Sequence, residues 1–252
     1  RLARNIWPEN IGQIVQEREL SVASLPSSRK IPDNLEDLAE WLWVDRQDHL
    51  SQALVYLYDD VDGVDASASV ELVVRVQGVI ADMNVSLSGT WDGTELNAKK
   101  ANQYLTLVSG GCTAAFEPQV RCLNTLRDAV LAQLGKCDDR QRGRQDALVF
   151  RRRVFTKVRY GVNDHIPSAI VNSEDPRAKF KAIEKSWKVV DKLRAGTQLA
   201  HGEIFSVTPL SLRKGDLVDV SARVVVAFTR GPQGRRYELS FEPMLIVRLA
   251  SA

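Results

Sequence analysis

The sequence predicts an α+β protein dominated by strands: an antiparallel β-sandwich with about three inserted helices and an extended N-terminal arm. Three observations lead there. Residues 217–249 alternate apolar and polar side chains on both sides of a Gly-Pro-Gln-Gly break. Further alternating runs fall between Ala53 and Val108. Apolar residues recur at helical spacing near 33–43, 118–135 and 176–195. Residues 33–252 therefore read as one β-rich domain behind an arm of residues 1–32.

In chain order, Ser21, Ser24, Pro26, Ser27, Ser28 and Pro32 interrupt every apolar period of the arm, which is expected to lie along another surface. Asp33 then offers an N-cap with Glu36 at capping-box spacing, and Leu35, Leu38 and Leu42 follow at helical intervals. Residues 53–58 are strand-like and run into Asp59, Asp60, Asp62 and Asp65. This acidic run departs from a calcium loop, because Val64 stands where a ligand belongs and the glycine is misplaced, so it predicts a solvated turn and no metal. Residues 70–78, 83–89 and 104–108 alternate as three more strands.

Pro118 suits the first turn of a helix whose stripe is Val120, Leu123, Leu126, Val130 and Leu134, with Gly135 as its stop. The loop after it holds Arg140, Arg142 and Arg144 and no apolar anchor. In the terminal hairpin, pairing Arg230 with Arg235 sets Phe228 opposite Tyr237, Val224 opposite Phe241 and Val220 opposite Leu245. Pro243, opposite Ala222, has no N–H for a central ladder and predicts a bulge or a free edge there. Asp219, Arg223, Glu238, Glu242 and Arg248 on the polar face are expected to meet neighbouring subunits.

Composition limits the function. With 44% hydrophobic and 26% charged residues over 252 positions, the chain is an ordinary globular one. No apolar run approaches the roughly 20 residues of a membrane span, and no signal-peptide core follows Arg4, so a cytoplasmic or virion location without a membrane partner is expected. Cys112, Cys122 and Cys137 are an odd, sparse set that predicts reduced thiols. The net charge of +2 hides a split: residues 1–135 carry 11 basic against 19 acidic side chains, and residues 136–252 carry 23 against 13. Such asymmetry suits a polyanionic partner for the second half or contact between unlike surfaces of copies.

Within that basic half, 149–160 read as one strand puts Phe150, Val154, Val158 and Tyr160 on one face and Arg151, Arg153, Phe155, Lys157 and Arg159 on the other. Cations beside an aromatic are what a nucleic-acid strand needs, phosphates meeting the charges and a base stacking on Phe155. A helix opened by Asp175-Pro176 would bury Phe180, Ile183, Trp187 and Val190 and expose a stripe including Lys181, Lys185 and Lys188. Together with Arg140, Arg142 and Arg144 these predict salt-sensitive binding of nucleic acid with little sequence preference.

Motifs for catalysis are missing. The chain has no H-E-x-x-H, G-x-S-x-G, G-x-G-x-x-G or phosphate-loop signature, no lysine with an acidic residue two positions before it, and no cysteine pair at zinc-clip spacing. A non-enzymatic protein without cofactor is expected. The arrangement of arm, β-sandwich, inserted helices and basic face resembles that of single jelly-roll viral coat proteins. That resemblance implies a self-assembling subunit that packages nucleic acid and has copies of itself as partners. The alternative is a non-catalytic nucleic-acid-binding accessory protein, and a third reading is an enzyme with a dispersed site.

Overall fold

The computed structural model describes residues 35–45, 52–57, 70–134, 146–231 and 234–252. The N-terminal arm, the acidic run at 59–65 and the loop carrying Arg140, Arg142 and Arg144 lie outside these residues. The elements in order are α1 (Leu35–Trp41), β1 (Leu42–Val44), β2 (Gln52–Leu57), β3 (Val70–Glu71), β4 (Val73–Asn84), α2 (Glu95–Ala98), β5 (Asn102–Val108), α3 (Thr113–Gln133), β6 (Ala147–Arg153) and β7 (Thr156–Lys157). They continue with α4 (Lys179–Ile183), β8 (Trp187–Lys188), β9 (Arg194–Gln198), β10 (Ile204–Val207), β11 (Leu217–Gly231) and β12 (Gly234–Ala250). The protein is α+β and β-dominated, with a large, mostly antiparallel sheet and a few helices. No helix among the described residues is long and apolar enough to cross a membrane.

The expected hairpin is β11 and β12, and its register from Arg230↔Arg235 through Ala222↔Pro243 is the one the alternation requires. At Pro243 the register shifts by one, so Ser221 rather than Val220 faces Leu245, and Val220 pairs with Ile246. The bulge exchanges the inward positions of β12, which is why Ile246 joins the core although the even positions of the outer hairpin face away.

The hairpin closes a ring. β11 pairs with β4, β4 with β5 and β5 with β6, all antiparallel. β6 then meets β12 in parallel at Phe150↔Phe241, where the two rings lie 6.3 Å apart. Five strands thus return on themselves as a Greek-key barrel, in place of the two facing sheets of the expected sandwich. β2 continues the sheet from the outer part of β11, and β9 and β10 extend it from the inner part of β12. Leu105, Leu107, Phe150, Val220, Val224 and Phe241 belong to the core.

β4 takes the place of two expected strands, 70–78 and 83–89. A bulge between Ile80 and Asp82 carries the strand through the apolar run Val79-Ile80-Ala81, and the Asn84 carboxamide then turns the chain by donating to the Gly89 carbonyl at 3.0 Å. Helix α3 begins at Thr113, five residues before Pro118, because Gly110 and Gly111, both at positive φ, reverse the chain just ahead of it. It lays Phe116, Val120, Leu123, Leu126 and Val130 on the core. Where β5 has run out, Gln119 substitutes for a strand. Its oxygen accepts from the Gln77 N–H at 2.8 Å and its amide donates to the Gln77 carbonyl at 3.0 Å.

The polar face of the hairpin is turned to intramolecular partners. Asp219, 1% exposed, receives Arg75 at 2.6 and 3.0 Å and Gln77 at 2.9 Å. Glu242 is buried against Arg223 at 2.8 Å, and Arg248 donates to the Ser211 carbonyl at 3.2 Å. Of the five charged residues expected to meet neighbouring subunits, only Glu238 is exposed.

The helix expected over 176–195 is a correction. Only Lys179–Ile183 is helical, started by Asp175, whose carboxylate accepts from the N–H groups of Lys179 and Lys181 at 2.7 and 3.0 Å. Trp187 and Lys188 instead pair with Lys157 and Thr156 in a separate two-stranded sheet. Phe180, Ile183 and Trp187 do pack together, in a second apolar cluster with Trp91, Val154 and Phe155, so tertiary packing overrides their helical spacing.

Candidate nucleic-acid interface

The outer face of the barrel is set by β5 and β6. Their alternation leaves Asn102, Tyr104 and Thr106 of β5 half-exposed and Val149, Arg151 and Arg153 of β6 exposed, while Gln103, Leu105, Phe150 and Arg152 turn inward. In the ladder Tyr104 stands directly opposite Arg151, and Asn102 opposite Arg153. Antiparallel partners lie about 4.5–5.5 Å apart at Cβ, so each pair presents its two side chains side by side. The Tyr104 hydroxyl donates to Asp82 Oδ2 at 3.3 Å, and Asp82 Oδ1 meets Lys214 Nζ at 2.7 Å. The Lys214 ammonium holds the Asp82 carboxyl below its ordinary range, and Asp82 in turn raises Lys214. Asp82, the acidic group that the Tyr104 hydroxyl touches, is therefore already matched by a cation.

Past Arg153 the chain leaves the barrel. Val154 and Phe155 are both buried, which breaks the strand alternation, and Lys157 re-emerges on β7. Phe155, 4% exposed, sits edge-on to Trp91 at 4.8 Å and 5.7 Å from Phe180. It anchors the second cluster and offers no face to a base, which corrects the stacking role expected of it. The turn that follows is locked by Asn163, whose oxygen accepts from the Arg159 N–H at 2.6 Å and whose amide donates to the Lys157 carbonyl at 3.0 Å.

Between this segment, the hairpin and residues 187–191 runs a groove of about 380 Å³. Its lining carries six cations, Lys99, Arg152, Arg153, Lys157, Arg159 and Arg223, against two carboxylates, Asp191 and Glu242. Both carboxylates are already engaged. Arg152, 6% exposed, binds Asp191 at 3.1 Å and the bulge carbonyl of Pro243 at 3.4 Å, and Arg223 binds Glu242. Lys99 reaches the rim from the loop between β4 and β5. There Asp92 accepts from the Thr94 N–H at 2.9 Å, Trp91 Nε1 donates to the Thr94 carbonyl at 2.7 Å, and Ala98 and Ala101 pack under the second cluster.

No family model matches the chain, and no curated protein matches it in sequence. Solved structures do. The chain is similar to the single-stranded DNA-binding protein from bacteriophage Enc34, at 10% identity with a TM-score of 0.33, over 73% of this chain and 84% of that one. A C-terminal truncation of the same phage protein is similar at 10% identity and a TM-score of 0.32, over 73% of this chain and 90% of that one.

Of the sequence-predicted residues, the structure thus gathers Arg151 and Arg153 on one strand face and Arg153, Lys157 and Arg159 along one groove. The basic helix stripe does not form. Lys181 and Lys185 are exposed but line no part of the groove, and Lys188 donates to the carbonyls of Asp164 and Ile166 at 2.6 and 2.9 Å, a structural task. Arg140, Arg142 and Arg144 lie outside the described residues. Sequence reasoning passed over Tyr104 and Lys99. For Tyr104 the available signal was its parity in the strand at 104–108; its partner appears only with the β5–β6 register. No group of three or more metal-ligating side chains occurs among the described residues.

Proposed function

We propose that this chain is a non-catalytic protein that binds single-stranded nucleic acid with little sequence preference, across the outer face of β5 and β6 and into the basic groove. The observation that carries the reading is the pair of ladder rungs Tyr104–Arg151 and Asn102–Arg153 on the second and third strands of a closed five-stranded barrel. In ring order the strands run β4, β5, β6, β12, β11, with one parallel step, the connectivity of an OB-type barrel, a fold whose face at strands two and three holds oligonucleotides. Fold alone assigns no function, so the site has to supply the chemistry. It does so in two ways. An aromatic ring accepts any base, and adjacent guanidinium groups take phosphates by releasing counterions. Stacking needs an unpaired base with a free face, which favours single strands over duplex.

A shell-forming role is not part of this proposal. The charged residues on which the expectation of subunit contacts rests are, apart from Glu238, committed within the chain. The test is a fluorescence-anisotropy titration of a labelled oligothymidylate with the protein and with an Arg151→Glu, Arg153→Glu variant. The reading requires saturable binding that the double variant loses; equal binding by both would end it.

A further inference from the structure

The groove differs in chemistry from the strand face beside it. Part of its lining is apolar: Val154, Phe155, Trp187, Val162 and Val190, the last two being 57% and 37% exposed. Part is cationic: Lys99, Arg153, Lys157 and Arg159. A free phosphate would leave the apolar lining uncovered. An apolar ligand would leave Lys99, Arg153 and Lys157 without an anion. A nucleotide has one part for each, and about 380 Å³ falls in the range of pockets that hold small molecules.

We infer that the groove receives one nucleotide of the bound strand, its base against Trp187, Val162 and Val190 and its phosphate at Lys157 and Arg159. This rests on the single-strand reading and gives it a path. Arg153 belongs to both surfaces, as the last residue of β6 on the outer face and as a lining residue of the groove. A strand crossing Tyr104 and Arg151 therefore reaches the groove without leaving cationic surface. The exposed valines give the observation an energetic sense, since a base placed on them removes apolar area from water. Asp191 and Glu242 in the lining are paired with Arg152 and Arg223, so they bring no unmatched negative charge to the groove.

The test uses the full chain and three probes: thymidine 5′-monophosphate, inorganic phosphate and oligothymidylates of graded length. Amide NMR shifts on adding the monophosphate are expected at 154–163 and 187–191, with inorganic phosphate giving a smaller subset near Lys157. Val190→Asp, a change at an exposed position, is expected to abolish the monophosphate shifts. It should also weaken the longer oligonucleotides roughly tenfold and shorten the occluded length, while leaving the effect of Tyr104→Ala intact. Monophosphate shifts on the β5–β6 face instead, or a Val190→Asp variant that binds like the parent, would overturn the groove assignment and leave the strand face standing. A parent chain that binds the monophosphate in the groove but no oligonucleotide would keep the groove and refute the single-strand path. Absence of both would refute both.

Discussion

Arg151 faces Tyr104 across the β5–β6 ladder, on a barrel face where an aromatic ring meets two exposed arginines, Arg151 and Arg153. The ring is half-exposed and steadied by Asp82 through its hydroxyl, so it is held in place rather than packed away. Removing the ring should therefore cost affinity and spare the fold. Tyr104→Ala is expected to weaken oligonucleotide binding by about 1–3 kcal/mol with an unchanged melting temperature. Arg151→Ala should lower the slope of log K against log salt by about 0.7, the share of one phosphate contact on a single strand. Both are read by anisotropy titrations at several salt concentrations, and a salt-independent affinity would contradict the phosphate role.

Much of this was legible in the sequence, and the misses share a cause. The β11–β12 hairpin was readable because loop length and alternation fix the same register, and Pro243 announced the bulge through its missing N–H. Closure of the barrel was not readable, since the joining step rests on the single bridge Phe150↔Phe241, between residues far apart in the chain. Phe155 was misassigned because strand parity stops at Arg153, after which two successive residues are buried. Phe180, Ile183 and Trp187 have helical spacing, yet they reach one cluster from a short helix and a short strand. Period measures which residues share a face only while one element lasts.

Arg152 and Asp191 form a lopsided ion pair, the arginine 6% and the aspartate 59% exposed. Asp191 can be replaced without opening the core, and its loss leaves more positive charge at the groove. Asp191→Asn is expected to tighten oligonucleotide binding a few-fold at low salt, with the gain shrinking as salt screens it. Weaker binding would show that the carboxylate serves the ligand directly.

Arg75 and Asp219 carry stability rather than function. Asp219 is 1% exposed and takes two bonds from Arg75, so Arg75→Ala strands a buried carboxylate. The expected cost is about 3–5 kcal/mol in chemical denaturation. Replacing both residues with apolar ones of similar size should restore most of it, and a cost below about 1 kcal/mol would mean the carboxylate finds water.

Asp92 controls the loop that presents Lys99. The Thr94 N–H, then the Asn97 amide and the Thr94 hydroxyl, hold its carboxyl below the ordinary carboxylate range. Because the folded value is lowered, the stabilisation is complete above the unfolded value near about 4 and is lost as pH falls through the folded one. The Trp91 signal, isolated by comparison with Trp91→Phe, should stay constant from neutral pH down to about pH 4 and change only below it. In Asp92→Asn the acid transition at Trp91 should disappear, and a transition near neutral pH would assign the loop to a different group.

The central claim is tested most directly by competition. A labelled oligothymidylate bound to the protein is displaced with unlabelled single strands of mixed sequence and with duplex of the same length and salt. The account predicts that single strands of any sequence compete at similar concentrations, that duplex competes at least tenfold less well, and that Tyr104→Ala narrows the gap. Duplex competing as well as single strand, with Tyr104→Ala unchanged, would contradict it.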